Sequence, residues 1–222
     1  MNNYNKNLTY LLDRKGISVS QFEYTILIPK VKILEPTPNE LIRIADYFNV
    51  SIDHLVRKSL KDLNRILSQD IKFLILDVDG TMTDGGMYFT ENGDQIKKYN
   101  TKDGMAIKGL VKSNFQVGII SHGYKTKLVE DRADLLGIQH VYVGRENKVT
   151  ILNQWLDQQN LTIDQVAFIG DDINDIEIME AVGLSACPND AVDSVKAIAD
   201  VILERKGGDA CVREFIDLYI KS

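Results

Sequence analysis

Short apolar runs, each parted from the next by a stretch of helical periodicity, constrain the second part of this chain more than any other feature. The runs are FLILD (73–77), VGII (117–120), VYV (141–143), VAFIG (166–170) and LSA (184–186). They are too short for buried helices and almost continuously apolar, as parallel strands covered on both faces are. Helices are expected between them at about 103–113, 125–136, 148–159, 173–181 and 191–199. Such a βαβ series predicts an α/β fold, a doubly wound parallel sheet with its site at the carboxyl ends of the strands. Between the first two strands, YFTENGDQIKKY reads as a hairpin turning at Asn92-Gly93.

Residues 6–67 obey a different rule. They show helical periodicity and no convincing strand alternation, with Leu8, Leu11 and Leu12 on one face. Ser18 and Ser20 are candidate caps for a helix around Phe22, and NELIRIADYFNVSIDHLVRKSL predicts helices at 39–48 and 51–60 with Ser51 as an N-cap. The boundary is expected near Leu67-Ser68-Gln69-Asp70. This gives a small all-α domain over 1–68 and an α/β domain over 69–222. With 44% apolar residues in 222, both can bury a core.

Charge separates the two parts as well. Residues 1–70 hold 10 Lys/Arg against 8 Asp/Glu, while 71–222 hold 16 against 24. An acidic second part disfavours general nucleic-acid binding. Cys187 and Cys211 are the only cysteines, so no disulfide framework is expected and a reducing compartment fits better. The start of the chain lacks a signal-peptide core, and no window is long and apolar enough to span a membrane. The protein reads as soluble and cytoplasmic.

Two acidic clusters sit where strands should end. Asp77-Val-Asp79-Gly80-Thr81 closes the first strand, and Gly170-Asp171-Asp172-Ile-Asn174-Asp175 closes the fourth. Either alone could simply cap a helix. Two of them at βα junctions call for a cation, and Mg²⁺ favours such oxygen ligands. Ser121, at the end of the second strand, and Lys148, ahead of a helix, read alone as a strand-end cap and a solvated charge.

Taken in order, DVDGT, IIS, Lys148 and GDDINDIEIM resemble the four motifs of the haloacid dehalogenase-like phosphatases. The resemblance implies that Asp77 attacks the substrate phosphorus to form an aspartyl-phosphate and that Asp79 acts as acid, then base. It implies that Ser121 and Lys148 hold the phosphoryl group. Mg²⁺ would sit on Asp77, the Asp79 carbonyl and Asp171, with Asp172 and Asp175 orienting those ligands. No cap domain fits between the motifs, so the site needs walls from elsewhere, and a homo-oligomer is expected.

The stretch 71–220 further resembles the capless group that includes 3-deoxy-D-manno-octulosonate 8-phosphate phosphatase. The matching residues are DVDGTMTDGGMYF, NTKDGMAIK, KLVEDRADLLGI, ENK, GDDINDIEIMEAVGLS and KGGDACVREF. This implies a sugar acid phosphate as substrate, either that octulosonate or a nine-carbon acid of the sialic type, and a tetramer. It also implies substrate contacts from Asn100, Thr101, Lys102, Asp103, Gly104, Lys108 and Arg132. The sequence departs from the pattern after the second strand, where the family shows Thr-Gly-Arg and this chain has Ser-His-Gly-Tyr. His122, Tyr124 or Lys125 could replace the missing arginine, or His122 could cap the turn. A longer tail found in relatives is expected to be absent after Ser222.

The N-terminal segments LTYLLDRKGIS and LIRIADYFNVSIDHLV resemble the Cro/repressor-type helix-turn-helix family. Where that family has a recognition helix, this chain has ILIPKVKILEPTP, interrupted by Pro29 and poor in side chains able to read bases. Packing or oligomerisation is the expected role. The competing reading is a DNA-binding regulator whose α/β domain senses a metabolite.

Overall fold

Burying the face shared by Leu8, Leu11 and Leu12 organises the N-terminal unit. A computed structural model describes residues 2–57, 59–93, 95–123 and 126–220, and its chain divides into units Met1–Ser68 and Gln69–Ser222. The first unit is helical: α1 (Asn3–Lys15), α2 (Val19–Ile26), α3 (Lys30–Leu34), α4 (Pro38–Phe48), α5 (Ile52–Val56) and α6 (Leu60–Leu67). The three leucines pack with Phe22, Ile33, Ile44 and Leu55. Ser18, not Ser20, caps α2, accepting from the Gln21 N–H. Ser51 caps α5.

The helix expected at 51–60 is two helices, because Ser59 caps a new start at Leu60. Buried Asn7 ties these pieces together. Its amide donates to the Leu55 carbonyl and accepts from the Leu60 N–H. The short α3 exposes Val31, and Tyr24 and Leu27 are exposed just before it.

The second unit follows the βαβ reading closely. Its elements are β1 (Phe73–Leu76), β2 (Tyr88–Phe89), β3 (Gln95–Ile96), α7 (Thr101–Lys112), β4 (Gln116–His122), α8 (Lys127–Leu136) and β5 (His140–Gly144). They continue with α9 (Lys148–Gln159), β6 (Val166–Ile169), α10 (Ile176–Ala181), β7 (Leu184–Cys187), α11 (Asp193–Lys196), β8 (Val201–Ile202) and α12 (Cys211–Tyr219). The main sheet is parallel, in the order β5-β4-β1-β6-β7-β8.

β1 lies fully buried in the middle, with Phe73 and Ile75 packed against Phe168, Leu152 and Val166. Each such side chain contributes about 1.5–3 kcal/mol of burial. The chain leaves β1 for β4 on one side and reaches β6 on the other, which opens a crevice at their carboxyl ends.

Four details depart from the sequence reading. β8 is an added two-residue strand, and the helix expected over 191–199 shrinks to α11. The helix expected at 173–181 opens with a tight turn over Ile173–Asp175 before α10 begins. The hairpin turn runs from Thr90 to Gly93, whose N–H donates to the Thr90 carbonyl at 2.9 Å. Tyr124 and Lys125, named as arginine replacements, lie outside the described residues. Among the described residues, no helix is long and apolar enough to cross a membrane.

Candidate active site

The register of the sheet delivers the two acidic clusters and Ser121 to one place. Leu76 pairs with Ile119 on one side and with Ile169 on the other. Asp77, Ser121 and Asp171 therefore leave three neighbouring strands at the same end. Asp77 and Ser121 are buried, as is Lys148. Asn147 caps α9, and from the next position the Lys148 ammonium donates to Asp77 Oδ1 at 2.7 Å and to Asp175 Oδ1 at 2.5 Å.

Asp175 is fully committed. Its second oxygen accepts the N–H of Asp171 at 2.9 Å and of Asp172 at 3.3 Å. Asp172 turns to the N–H of Ile173 at 2.7 Å and is exposed, so its side chain caps the turn.

Carboxylate oxygens of Asp77, Asp171 and Asp175 lie within 4.8 Å of one another. Burial pushes the Asp77 carboxyl up to about 8, outweighing the attraction of Lys148, and Asp175 adds to the rise. Burial, then Asp175, raises Asp171 to about 7. Burial opposes the charge on Lys148, but Asp77 and Asp175 together raise its pKa.

The arrangement fits a hard divalent cation such as Mg²⁺, since it offers only oxygens of like charge. With both Asp175 oxygens taken, Asp77 and Asp171 remain as carboxylates to face it. Gly80 keeps room for this approach. Its φ is +93°, and a Cβ there would lie 2.0 Å from Asp171 Oδ2. The Thr81 hydroxyl fixes Asp171 by donating to Oδ1 at 3.1 Å.

Asp79 points the other way, into a cavity of about 720 Å³ that Ser121, His122 and Val143 also line. It is ion-paired with Lys97, whose side chain is only 7% exposed. Lys97 and Arg145 both line this cavity, and sequence reasoning singled out neither. His122 is held at both ring nitrogens. Nε2 donates to the Glu146 carbonyl at 3.1 Å, and Nδ1 accepts from the Asn174 amide at 3.2 Å.

The other expected substrate contacts do not line the cavity. Asn100 caps α7 and donates to the Gly208 carbonyl at 3.2 Å. Asp103 is buried, accepts from the Arg213 N–H at 2.7 Å, and is raised to about 6 by burial. Arg132 packs over the Tyr99 ring and points an N–H at the Asn100 carbonyl, 3.4 Å away. Gly104 leaves room for that guanidinium, which would lie 2.5 Å from a Cβ. Thr101 and Lys102 are exposed, and Lys108 is half-buried.

The C-terminal Gly207-Gly208 pair explains these bonds. A Cβ on Gly207 would lie 1.8 Å from the Gly80 carbonyl oxygen. The Gly208 N–H donates to the Thr81 carbonyl at 3.0 Å, and buried Cys211 donates to the same carbonyl at 3.3 Å. This segment braces the Asp77–Thr83 loop from behind.

Known proteins resemble this chain in sequence and fold. A family model described as haloacid dehalogenase-like hydrolase matches residues 136–215. The 3-deoxy-D-manno-octulosonate 8-phosphate phosphatase of Salmonella typhi is 41% identical over 153 residues, 69% of this chain and 81% of its own. That of Yersinia pestis superposes with a TM-score of 0.68 at 38% identity, over 72% of this chain and 85% of the other. The Moraxella catarrhalis phosphatase of the same name, solved with magnesium, phosphate and KDO, gives a TM-score of 0.67 at 28% identity, over 72% and 90%. Similar to these proteins over such lengths, the chain belongs to the haloacid dehalogenase-like hydrolases.

Proposed function

We propose that this protein is a Mg²⁺-dependent phosphatase acting on a phosphorylated 3-deoxy-2-keto sugar acid, 3-deoxy-D-manno-octulosonate 8-phosphate before any nine-carbon analogue. The observation that carries the reading is the meeting of Asp77, Asp171 and Ser121 at adjoining strand ends, with Lys148 reaching Asp77 from the start of α9. The names of relatives at 40–41% identity supply the substrate.

In this reading an Asp77 carboxylate oxygen attacks phosphorus, the aspartyl-phosphate bond forms, and the ester P–O bond breaks. Asp79 gives its proton to the departing sugar oxygen. It then takes a proton from the water that attacks the same phosphorus and frees Asp77. Lys97 holds Asp79 at the cavity. The Ser121 hydroxyl and the Lys148 ammonium bind phosphoryl oxygens. Held by Asp77, Asp171 and the Asp79 carbonyl, Mg²⁺ would offset the repulsion between nucleophile and phosphate.

The test is phosphate release with Mg²⁺ from the eight-carbon and nine-carbon acids. The eight-carbon acid is expected to be preferred, and Asp77→Asn to reduce turnover by at least about 10³-fold. Full activity in Asp77→Asn sinks the mechanism, and no release from either acid sinks the function.

The hairpin supports a homo-oligomer, a tetramer by resemblance to relatives. It exposes Met87, Tyr88, Phe89 and Ile96 beside a site that has no cap. Two buried free thiols, Cys187 and Cys211, support a cytoplasmic setting.

A further inference from the structure

We propose that His122 is a positioning residue that joins the ends of β4, β5 and β6 into one closed ring of bonds; this rests on the phosphatase reading above. The ring fixes where Ser121, Lys148 and Asp171 stand relative to one another. The sheet by itself does not. Its last paired residues are His122 with Gly144 on one side of β1, and Ile169 with Leu76 and Ala186 on the other. Lys148 and the Asp171–Asp175 segment both lie beyond these pairs. β1 also separates β4 from β6, so no strand pairing links the loops that follow those two.

His122 supplies the link. Its Nε2 donates to the Glu146 carbonyl at 3.1 Å, two residues ahead of Lys148. Its Nδ1 accepts from the Asn174 amide at 3.2 Å, one residue ahead of Asp175. Two further bonds close the ring between those loops. The Asn147 amide donates to Glu177 at 2.6 Å, and the Lys148 ammonium donates to Asp175 at 2.5 Å. Asp175 in turn accepts the Asp171 N–H at 2.9 Å. The bonds thus run from the neighbour of Ser121, through the phosphate-binding lysine, to the residue that faces the cation.

The place calls for a particular side chain. A carbonyl on one side needs a donor, and an amide N–H on the other needs an acceptor. A neutral imidazole offers both on one rigid ring. The glycine of the related Thr-Gly-Arg pattern offers neither, so the tie belongs to the Ser-His-Gly-Tyr sequence of this chain. Groups already held in place lose less freedom when they bind a ligand. The ring therefore acts on both the cation and the phosphoryl group.

The experiment compares wild type with His122→Phe, His122→Gln and Asn174→Ala, each as the full chain. Mg²⁺ is titrated into each by calorimetry, and kcat and KM are measured with Mg²⁺ on 3-deoxy-D-manno-octulosonate 8-phosphate. His122→Phe keeps a ring without either bond. It is expected to weaken Mg²⁺ binding and lower kcat, each about 3- to 10-fold, the range of one neutral hydrogen bond. His122→Gln retains a donor and an acceptor and should recover part of both. Asn174→Ala should weaken Mg²⁺ binding in the same direction. Combined with His122→Phe it should cost nothing more, because the shared bond is already gone. Unchanged Mg²⁺ affinity and kcat in His122→Phe overturn the proposal, as do additive losses in the double variant or a wild type that binds no Mg²⁺. Should His122→Phe fail to fold, unchanged Mg²⁺ affinity in Asn174→Ala overturns it. A wild type that binds Mg²⁺ but releases no phosphate overturns the phosphatase reading, and the titrations still decide the ring.

Discussion

Asp77 and Asp171 are held above the ordinary carboxylate range by burial and by the acids around them. Acids with raised folded-state pKa values stabilise the fold fully below about pH 4, and that contribution is lost as pH rises through about 7 and 8. A divalent cation binds the ionised forms, so its benefit grows over the same interval. The increase in melting temperature on adding Mg²⁺ is therefore expected to be larger at pH 8 than at pH 5, measured by scanning calorimetry. Equal increases would remove these carboxylates from the cation site. Both acidic clusters were legible in the sequence, because each follows an apolar run that ends a strand. Lys97 and Arg145 were not. Which cation reaches the cavity depends on hairpin pairing and on a loop pinned by distant groups, and neither has a local signature.

Strand alternation gives the hairpin two distinct faces. Met87, Phe89, Gln95 and Lys97 line the cavity, while Tyr88 and Ile96, paired across the strands, face the opposite way and are exposed. If the hairpin builds the assembly, Ile96→Glu with Tyr88→Ser should shift the mass in solution to a smaller species, as read by light scattering. An unchanged mass would take this face out of the interface. The helix and strand pattern of residues 69–222 was readable because buried parallel strands are continuous apolar runs. β8 escaped notice because two residues carry no periodicity. The break after Val56 escaped because Ser59 competes as a cap within a helical pattern.

At the scale of the molecule, every residue assigned to the site lies between Asp77 and Gly208, within the second unit. A chain of residues 69–222 is thus expected to fold and to keep at least about half of the wild-type kcat, in line with the small effect of removing groups far from the chemistry. A loss of kcat above about 10-fold would assign the helical unit a part in catalysis. The separate character of that unit was legible from its periodicity and charge. Its partner was not, because the exposed Tyr24, Leu27 and Val31 carry no chemical signature of what they meet. The brace formed by Gly207 and Gly208 also bears on synthesis. Chains emerge from the ribosome starting at the N-terminus, so the nucleophile loop is made well before Gly207 and Gly208, which support it. A nascent chain that holds Asp77, Ser121, Lys148 and Asp171 but not yet Gly207 and Gly208 still lacks this support for the loop.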